Sequence, residues 1–198
     1  PFEVWVNGNE QPRGIGAVAK TLSMDMRAQD AKWLRMKLDL LARAAGDSFD
    51  CALPPDGKLS RVPSVVAAFA RIVRYRVDQL GTPTAGDGSS PVLDALFAKK
   101  EPKTGTDGTM SWTADVYNAT SHDDFVLLLK ELVLPNGQRR PYSVWMAGVY
   151  PRALDGLCKL LSLDMRVIDP AWIDMKLRKL LSYDEPLGDF MARVPGAV

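Results

Sequence analysis

The chain has 198 residues, of which 46% are hydrophobic and 25% charged, a mix typical of one or two globular domains and not of disorder, collagen or a coiled coil. Its 25 lysines and arginines nearly balance 24 aspartates and glutamates, a net charge of +1, so bulk charge gives no reason to expect a nucleic acid or an anionic membrane as partner. The longest apolar run, FVLLLKELVL, is broken by Lys130 and Glu131 and falls short of the ~20 residues that cross a bilayer. Cys51 and Cys158 need not pair in a chain this long, which favours a cytoplasmic protein.

The opening segment PFEVWVNG predicts a strand, because its apolar side chains alternate and several are aromatic or β-branched. It resembles neither a signal peptide nor a start methionine with a loose leader, so we expect the chain to be part of a longer protein. Pro12 then stands where a first helical turn tolerates a missing amide, and apolar residues recur at spacings of three and four up to Met26, which predicts an amphipathic helix. Asp30 is a natural N-cap for a second helix over about 31–44, with Gly46 closing it.

This pattern returns later in the chain. PFEVWVNG matches PYSVWMAG at 141–148, and the 30 residues from Pro12 align without gaps to those from Pro151 with 14 identities. One residue is gained or lost between strand and helix, because Trp5 matches Trp145 one step out of phase. The sequence therefore predicts an internal duplication.

The third helix and the loops complete the predicted order. A helix from Pro63 to Leu80 carries an apolar face and stops at Gly81, and Gly-, Pro- and Ser-rich loops over 81–91 and 102–109 flank a short helix in VLDALFAKK.

The second copy adds strands before the repeated unit. SWTADVYN and DDFVLLLKELVL read as strands, with Asn136-Gly137 as a tight hairpin turn into the strand that follows; FVLLLKELVL alone also fits a short helix. Asp169 and Pro170 then begin a helix that runs to about 182.

The predicted fold class is α+β with two related lobes that pack on one another as a pseudo-symmetric pair. Each lobe is a small antiparallel sheet of about three strands with two to three helices on one face. The first repeat is 1–81 without its leading strands, the linker with a short helix is 82–110, and the second repeat is 111–198.

Few residues suggest chemistry. His122 is the only histidine and lies in the polar turn ATSHDD, so we expect an exposed loop residue. Cys158 replaces Ala19 on a helix face, which indicates a buried small hydrophobe, and no spacing of histidines and cysteines predicts a metal centre. We therefore assign no catalytic, cofactor-binding or metal-binding residue.

Basic residues shared by the two copies are the candidate contacts for an anion or a partner. They are Arg13, Lys20, Arg27, Arg152, Lys159 and Arg166. The Gly-rich NGNEQPRGIG before the first helix suggests phosphate binding at a helix N-terminus, but its spacing fits no known phosphate fingerprint. The alternative is a solvated helix face, with Arg27 bridging locally to Asp25 or Asp30. On the third helix, Arg71, Arg74 and Arg76 beside Tyr75 indicate either a single-strand nucleic-acid platform or a solvated helix back.

The segments SMDMR and SLDMR keep Ser23 and Asp25, matched by Ser162 and Asp164, near a helix C-terminus, where an aspartate opposes the helix dipole. Their retention indicates either a capping or inter-helix hydrogen bond to the next helix or a ligand site.

These segments resemble a known family. PFEVWVNG, the helix containing AVAKTLSMDMR, EPKTGTDGTMSWTADVYN, DDFVLLLKELVLPNGQRRPYSVWMAG and the run from YPRALDG to MKLRKLL are similar to the TSCPD-type region near the C-terminus of class II, adenosylcobalamin-dependent ribonucleotide reductases. The likeness covers nearly the whole chain. The Thr-Ser-Cys-Pro-Asp string that names the domain is missing.

The resemblance implies a parent enzyme that reduces ribonucleotides to deoxyribonucleotides for DNA synthesis through a cysteine radical generated from adenosylcobalamin. Two isolated cysteines cannot supply a radical cysteine and a redox pair, so no catalytic residue of the family transfers to this chain. The expected role is a non-catalytic accessory region for interdomain packing, oligomerisation or positioning of the reducing tail. Its expected partners are the rest of the reductase and a second copy, without a membrane. The alternative is a nucleotide- or nucleic-acid-binding module that uses Arg13, Arg152, Arg71 and Arg74.

Overall fold

A computed structural model describes residues 1–7, 11–80, 89–99, 111–134 and 136–183. It shows an α+β protein with a two-stranded and a three-stranded antiparallel sheet. In chain order, the elements are α1 Ile15–Arg27, α2 Ala31–Leu41, β1 Phe49–Leu53, β2 Lys58–Val62, α3 Val65–Gln79, α4 Pro91–Asp94, β3 Ser111–Asn118, β4 Asp123–Val133, β5 Arg139–Val149, α5 Ala153–Asp164 and α6 Pro170–Leu181. None of the described helices is both long and apolar enough to cross a membrane.

The three-stranded sheet has the order β3-β4-β5. FVLLLKELVL forms a strand, so its reading as a short helix is wrong. Gly137 has a φ of 79°, but the Leu134 amide donates to the Gln138 carbonyl and the Gly137 amide to the Leu134 carbonyl, each at 2.8 Å. The loop is therefore longer than the tight turn predicted at Asn136-Gly137. The ladder between β4 and β5 is irregular at Lys130/Glu131, where Lys130 pairs with Ser143 and Glu131 with Pro141. Such an extra residue in one strand is a β-bulge, which bends the strand locally.

The strand predicted over residues 1–6 does not form. Residues 1–7 have no ladder partner among the described strands, and a strand without a neighbour has nothing to satisfy its backbone groups. Instead, Val4 is held by the Ser23 hydroxyl, which accepts from the Val4 amide at 3.0 Å and lies 3.1 Å from its carbonyl oxygen.

A hairpin that sequence reasoning missed follows α2. Strands β1 and β2 pair antiparallel from Phe49↔Val62 to Leu53↔Lys58, so the first half of the chain carries a two-stranded sheet. The hairpin buries Leu53 and Val62 against Ala68 of α3. Its sequence, FDCALPPDGKLSRV, lacks the clean alternation that would have marked it.

The helices behave as the spacing predicts. Asp30 and Asp169 cap α2 and α6 by accepting backbone N–H groups, and Ser64 caps α3 in the same way. One apolar core runs through both halves of the chain, and α1 and α5 pack on each other inside it. Its fully or nearly fully buried members include Val18, Leu22, Leu38, Leu41 and Leu160.

The described part of the predicted linker bridges the two halves. Ser90 donates its hydroxyl to Asp30 at 2.7 Å, and the Val92 amide donates to the same carboxylate at 3.0 Å. On the other side, Leu96 forms a β-bridge with Val167. The predicted stop at Gly81 and the loop segments 81–88 and 100–110 lie outside the described residues, as do residues 8–10 of the Gly-rich segment.

Candidate functional site

The two aspartates singled out by the repeat meet at the centre of the molecule. Asp25 near the end of α1 and Asp164 at the end of α5 lie with Lys37 of α2 and Lys176 of α6, and all four side chains are fully buried. We call these four residues the Asp–Lys cluster. It joins the halves of the chain, because each lysine contacts both aspartates.

The distances within the Asp–Lys cluster are those of charge-assisted hydrogen bonds. The Lys37 ammonium donates to Asp25 at 2.8 Å and to Asp164 at 2.6 Å. The Lys176 ammonium donates to Asp164 at 2.9 and 3.0 Å, and it also donates to Asp25. The ammonium groups of Lys37 and Lys176 lie beside the C-terminal ends of α1 and α5. These helix ends carry partial negative charge and would otherwise repel the carboxylates of Asp25 and Asp164.

Two tryptophans complete the coordination. The Trp33 indole N–H donates to Asp25 at 3.0 Å, and the Trp172 indole N–H donates to Asp164 at 2.7 Å. Lys37 lies 4.6 Å from the Trp33 ring centroid and Lys176 lies 5.1 Å from that of Trp172, within cation–π range. The expected inter-helix hydrogen bond to the next helix is therefore confirmed for both aspartates.

Burial and mutual charge set the protonation of the Asp–Lys cluster. Burial alone would raise the pKa of Asp25, but the ammonium groups of Lys37 and Lys176 outweigh it and lower this pKa. Burial and the charge of Lys37 lower the pKa of Lys176 to about 8. The carboxylates of Asp164 and Asp25 overcome burial at Lys37 and raise its pKa. Because the two ammonium groups repel each other, one proton leaves the pair of lysines below the ordinary lysine range.

The Asp–Lys cluster is not placed for catalysis on a substrate. The two large cavities described below are not lined by any of the four residues. A fully buried, internally neutral set of charges fixes which surfaces pack together, and removing one member leaves an unpaired charge. The arrangement therefore acts as a connection between the two halves.

The repeated serines also have equivalent partners. Ser162 accepts from the Val144 amide at 3.0 Å and lies 3.3 Å from the Val144 carbonyl oxygen, as Ser23 does with Val4. The segment around Val4 thus occupies the place in the first half that β5 occupies in the second, without being part of a sheet.

Arg13 and Arg152 line one cavity of about 540 Å³ where the first turns of α1 and α5 meet. Each already has a local partner: Arg13 forms an ion pair with Asp123, and the Arg152 guanidinium lies 5.4 Å from the Tyr150 ring centroid. The described lining of this cavity does not include Arg71 or Arg74. The four arginines proposed as a nucleotide-binding set are therefore not gathered into one site.

The other four candidate basic residues lie apart, two in each half of the chain. Lys20 lies 5.8 Å from the Trp5 ring centroid, and Arg27 forms an ion pair with Glu3, so the predicted local bridge from Arg27 to Asp25 or Asp30 is wrong. The matched Lys159 and Arg166 line the larger second cavity, of about 1020 Å³.

Other sequence candidates have structural explanations. His122 is exposed, with a φ of 57° in the turn between β3 and β4. Cys158 is buried, and burial raises the pKa of its thiol to about 12, which keeps it protonated. On α3, Arg74 pairs with Asp39 and also lies 3.9 Å from Asp78. Among the described residues, no group of three or more potential ligands forms a metal site.

Comparison with known proteins adds no relative: no family model, no curated protein and no solved structure matches this chain.

Proposed function

We propose that this chain is a non-catalytic accessory region of a cytoplasmic, adenosylcobalamin-dependent ribonucleotide reductase, and that it packs onto the rest of that enzyme. The assignment to this family rests on the resemblance of the sequence segments to the TSCPD-type region. The role rests on one observation, an apolar sheet face that the described residues leave uncovered.

That face is defined by the register of the three-stranded sheet. Leu127, Leu129, Val144 and Met146 point to one side and pack into the core. The residues that alternate with them point to the other side, because successive side chains of a strand face opposite ways. We call the apolar members of this side the open sheet face: Val126, Leu128, Trp145, Ala147 and Val149. Asp124, Lys130 and Ser143 point to the same side.

The open sheet face is an apolar patch on a side that also carries polar residues, as the solvent side of an antiparallel sheet ordinarily does. Val149 is 65% exposed and Trp145 is 37% exposed. Strand β4 reads as a nearly continuous apolar run, a pattern that suits a strand buried on both sides. An exposed apolar patch of this kind marks an interaction surface. A further domain of the same enzyme supplies such a cover, which favours interdomain packing over positioning of the tail.

The use of the repeated polar residues supports the same proposal. All four charged groups of the Asp–Lys cluster pair with one another inside the molecule. The chemistry of the reductase, including the binding of adenosylcobalamin, belongs in this proposal to the catalytic barrel outside this chain.

The test measures association between this chain and a separately produced catalytic barrel of an adenosylcobalamin-dependent ribonucleotide reductase, by calorimetry or sedimentation. We expect binding that is lost in Val126→Asp and Val149→Asp, because a buried unpaired carboxylate is costly. Leu59→Asp is the control, since Leu59 is 75% exposed on the β1–β2 hairpin, away from the open sheet face.

Three outcomes would contradict the proposal. Equal loss of binding in Leu59→Asp would show that the open sheet face is not the contact. Self-association of the chain that Val126→Asp abolishes, without binding to the barrel, would make the surface a contact between copies. Turnover of a ribonucleotide by this chain alone with adenosylcobalamin and a dithiol would show that it is itself catalytic.

A further inference from the structure

The second large cavity, of about 1020 Å³, is a groove along the free edge of β5, between α5 and α2. We call it the basic groove. The described residues that line it include seven lysines and arginines but only two aspartates: Lys32, Arg35, Arg43, Lys99, Lys130, Lys159, Arg166, Asp39 and Asp155. For a chain whose net charge is +1, this is a strong local separation of charge.

The two aspartates do little to neutralise the basic groove. Asp39 pairs with Arg74, which is not part of the lining, and Asp155 accepts the Tyr150 hydroxyl at 2.8 Å. No carboxylate among the described residues pairs with Lys32, Arg43, Lys99 or Lys159. The groove therefore holds positive charge that an anionic ligand can neutralise.

A buried polar group in the lining also lacks a partner. Ser143 is 6% exposed, and its hydroxyl oxygen has no hydrogen-bond partner in the structure. Buried hydroxyl groups are ordinarily hydrogen-bonded, because leaving one unsatisfied costs about 1–3 kcal/mol. An unsatisfied hydroxyl in a cationic cavity is explained by a ligand that accepts a hydrogen bond from it.

The matching place in the first half is closed. The groove that Ser23, Lys20 and Val4 line in the first half has a volume of only about 20 Å³, and Tyr183 also lines it. Continuing the alignment of the repeats places Ala44 opposite Tyr183. The smaller groove is thus lined by a tyrosine from the second half of the chain, whereas the residue aligned with that tyrosine, Ala44, is not among the described lining of the larger groove.

The backbone of β5 is only partly available for an added peptide strand. At the free edge, the Val144 amide donates to the Ser162 hydroxyl at 3.0 Å, and the Tyr142 carbonyl accepts from Arg166 at 3.4 Å. Strand addition depends on such groups being free. An added strand would therefore meet an edge that is already partly paired, which favours recognition through side chains.

Those side chains fit a phosphorylated small molecule better than a nucleic-acid strand. A strand needs an extended track of cations with several aromatic rings, whereas Trp145 is the one aromatic side chain in the described lining. The groove has the size of a small-molecule site, and Met36, Leu40 and Leu163 give it an apolar wall.

We propose that the basic groove binds a nucleoside triphosphate, with phosphates held by Lys32, Lys159 and the Ser143 hydroxyl and the base against the apolar wall of Met36, Leu40 and Leu163. This site differs from the arginine cavity and does not depend on the proposed reductase role, because the chain alone is expected to bind.

The test is calorimetric titration of the whole chain with ATP, inorganic triphosphate and adenosine in magnesium-free buffer. We expect ATP to bind more tightly than triphosphate, with adenosine weaker than both. Lys32→Glu with Lys159→Glu should weaken ATP at least about tenfold, because charge-assisted hydrogen bonds are lost. The matched control is Lys58→Glu with Arg61→Glu on the β1–β2 hairpin, which changes net charge equally at two exposed side chains and should leave affinity within about twofold.

Ser143→Ala separates a ligand site from a merely structural hydroxyl. Removing an unsatisfied hydroxyl should leave thermal stability unchanged or higher, while ATP binds several-fold more weakly. The proposal is wrong if ATP does not bind at millimolar concentration, if the control variant loses as much affinity, or if triphosphate binds as tightly as ATP. Tighter binding of a single-stranded oligonucleotide, lost in Lys32→Glu with Lys159→Glu, would assign the groove to nucleic acid instead.

Discussion

Trp33 and Asp25 are joined by a 3.0 Å hydrogen bond from the indole N–H to the carboxylate, and Trp172 repeats this bond with Asp164 at 2.7 Å. In both cases the acceptor precedes its tryptophan by eight residues, on the previous helix. The residues that the two aligned segments share are therefore those that hold consecutive helices together, and the lysines then hold the two halves of the chain to each other.

The two tryptophans should not contribute equally. Trp33 is fully buried, whereas Trp172 is half-buried. Trp33→Ala should lower the free energy of unfolding by about 3–5 kcal/mol, the usual cost of removing a buried aromatic. Trp172→Ala should cost at least ~1 kcal/mol less, because part of its ring is already in contact with water. Urea denaturation measures both, and equal losses would contradict the difference in burial.

The Asp–Lys cluster should be sensitive to loss of a single charge. Asp25→Asn removes the negative charge that Lys37 and Lys176 share and should destabilise the protein by about 3–5 kcal/mol, the range for breaking a buried ion pair. Asp174→Asn is the matched control, because its pair with Arg178 is exposed and should be worth less than about 1 kcal/mol.

A double variant tests whether these charges act together. Asp25→Asn with Lys176→Met removes one charge of each sign, so it should cost less than the sum of the two single changes. Strict additivity in urea denaturation would mean that the cluster does not act as a unit.

Part of this arrangement follows from the sequence and part does not. Retention of Asp25 and Asp164 against the helix dipole indicates a specific partner, and the tryptophans on the next helix are the expected kind of partner. Nothing in the sequence marks Lys37 and Lys176 as buried, because a lysine in an amphipathic helix is ordinarily solvated. Their burial depends on how two halves far apart in sequence pack, which local periodicity does not encode.

The prediction of strands from the sequence is limited in the same way. The Asn-Gly turn and the flanking apolar runs predict β3, β4 and β5 from local chemistry. The strand over residues 1–6 is wrong because a strand needs a neighbour, and alternation reports only the chain's own pattern. The basic groove is invisible in the sequence, since its cations come from α2, residue 99, β4 and α5.

The stability of the protein should rise with alkaline pH through Lys176. Its pKa in the folded protein is about 8, below the ordinary 10.5, so between these values the unfolded chain binds more protons than the folded one. The free energy of unfolding then increases with pH by up to about 1.4 kcal/mol per pH unit from this group. In Lys176→Met this contribution disappears, so urea denaturation at several pH values should give a smaller slope; equal slopes would contradict the lowered pKa.

Ser162 accepts a hydrogen bond from the free edge of β5 and should therefore contribute more to the free energy of unfolding than an exposed serine does. Ser162 satisfies the Val144 amide, and Ser162→Ala should leave that N–H without its partner, at a cost of about 1–3 kcal/mol in the free energy of unfolding. Ser23→Ala should cost a similar amount, because Ser23 serves Val4 in the same way. Ser182→Ala is the control, since its hydroxyl is exposed and lies 3.2 Å from the Lys179 carbonyl oxygen only at the end of α6. Hydrogen exchange gives a local reading: in Ser162→Ala the Val144 amide should lose protection while α3 keeps it. If Ser162→Ala were as mild as Ser182→Ala, β5 would not depend on this side chain, and its edge would be open to an added strand.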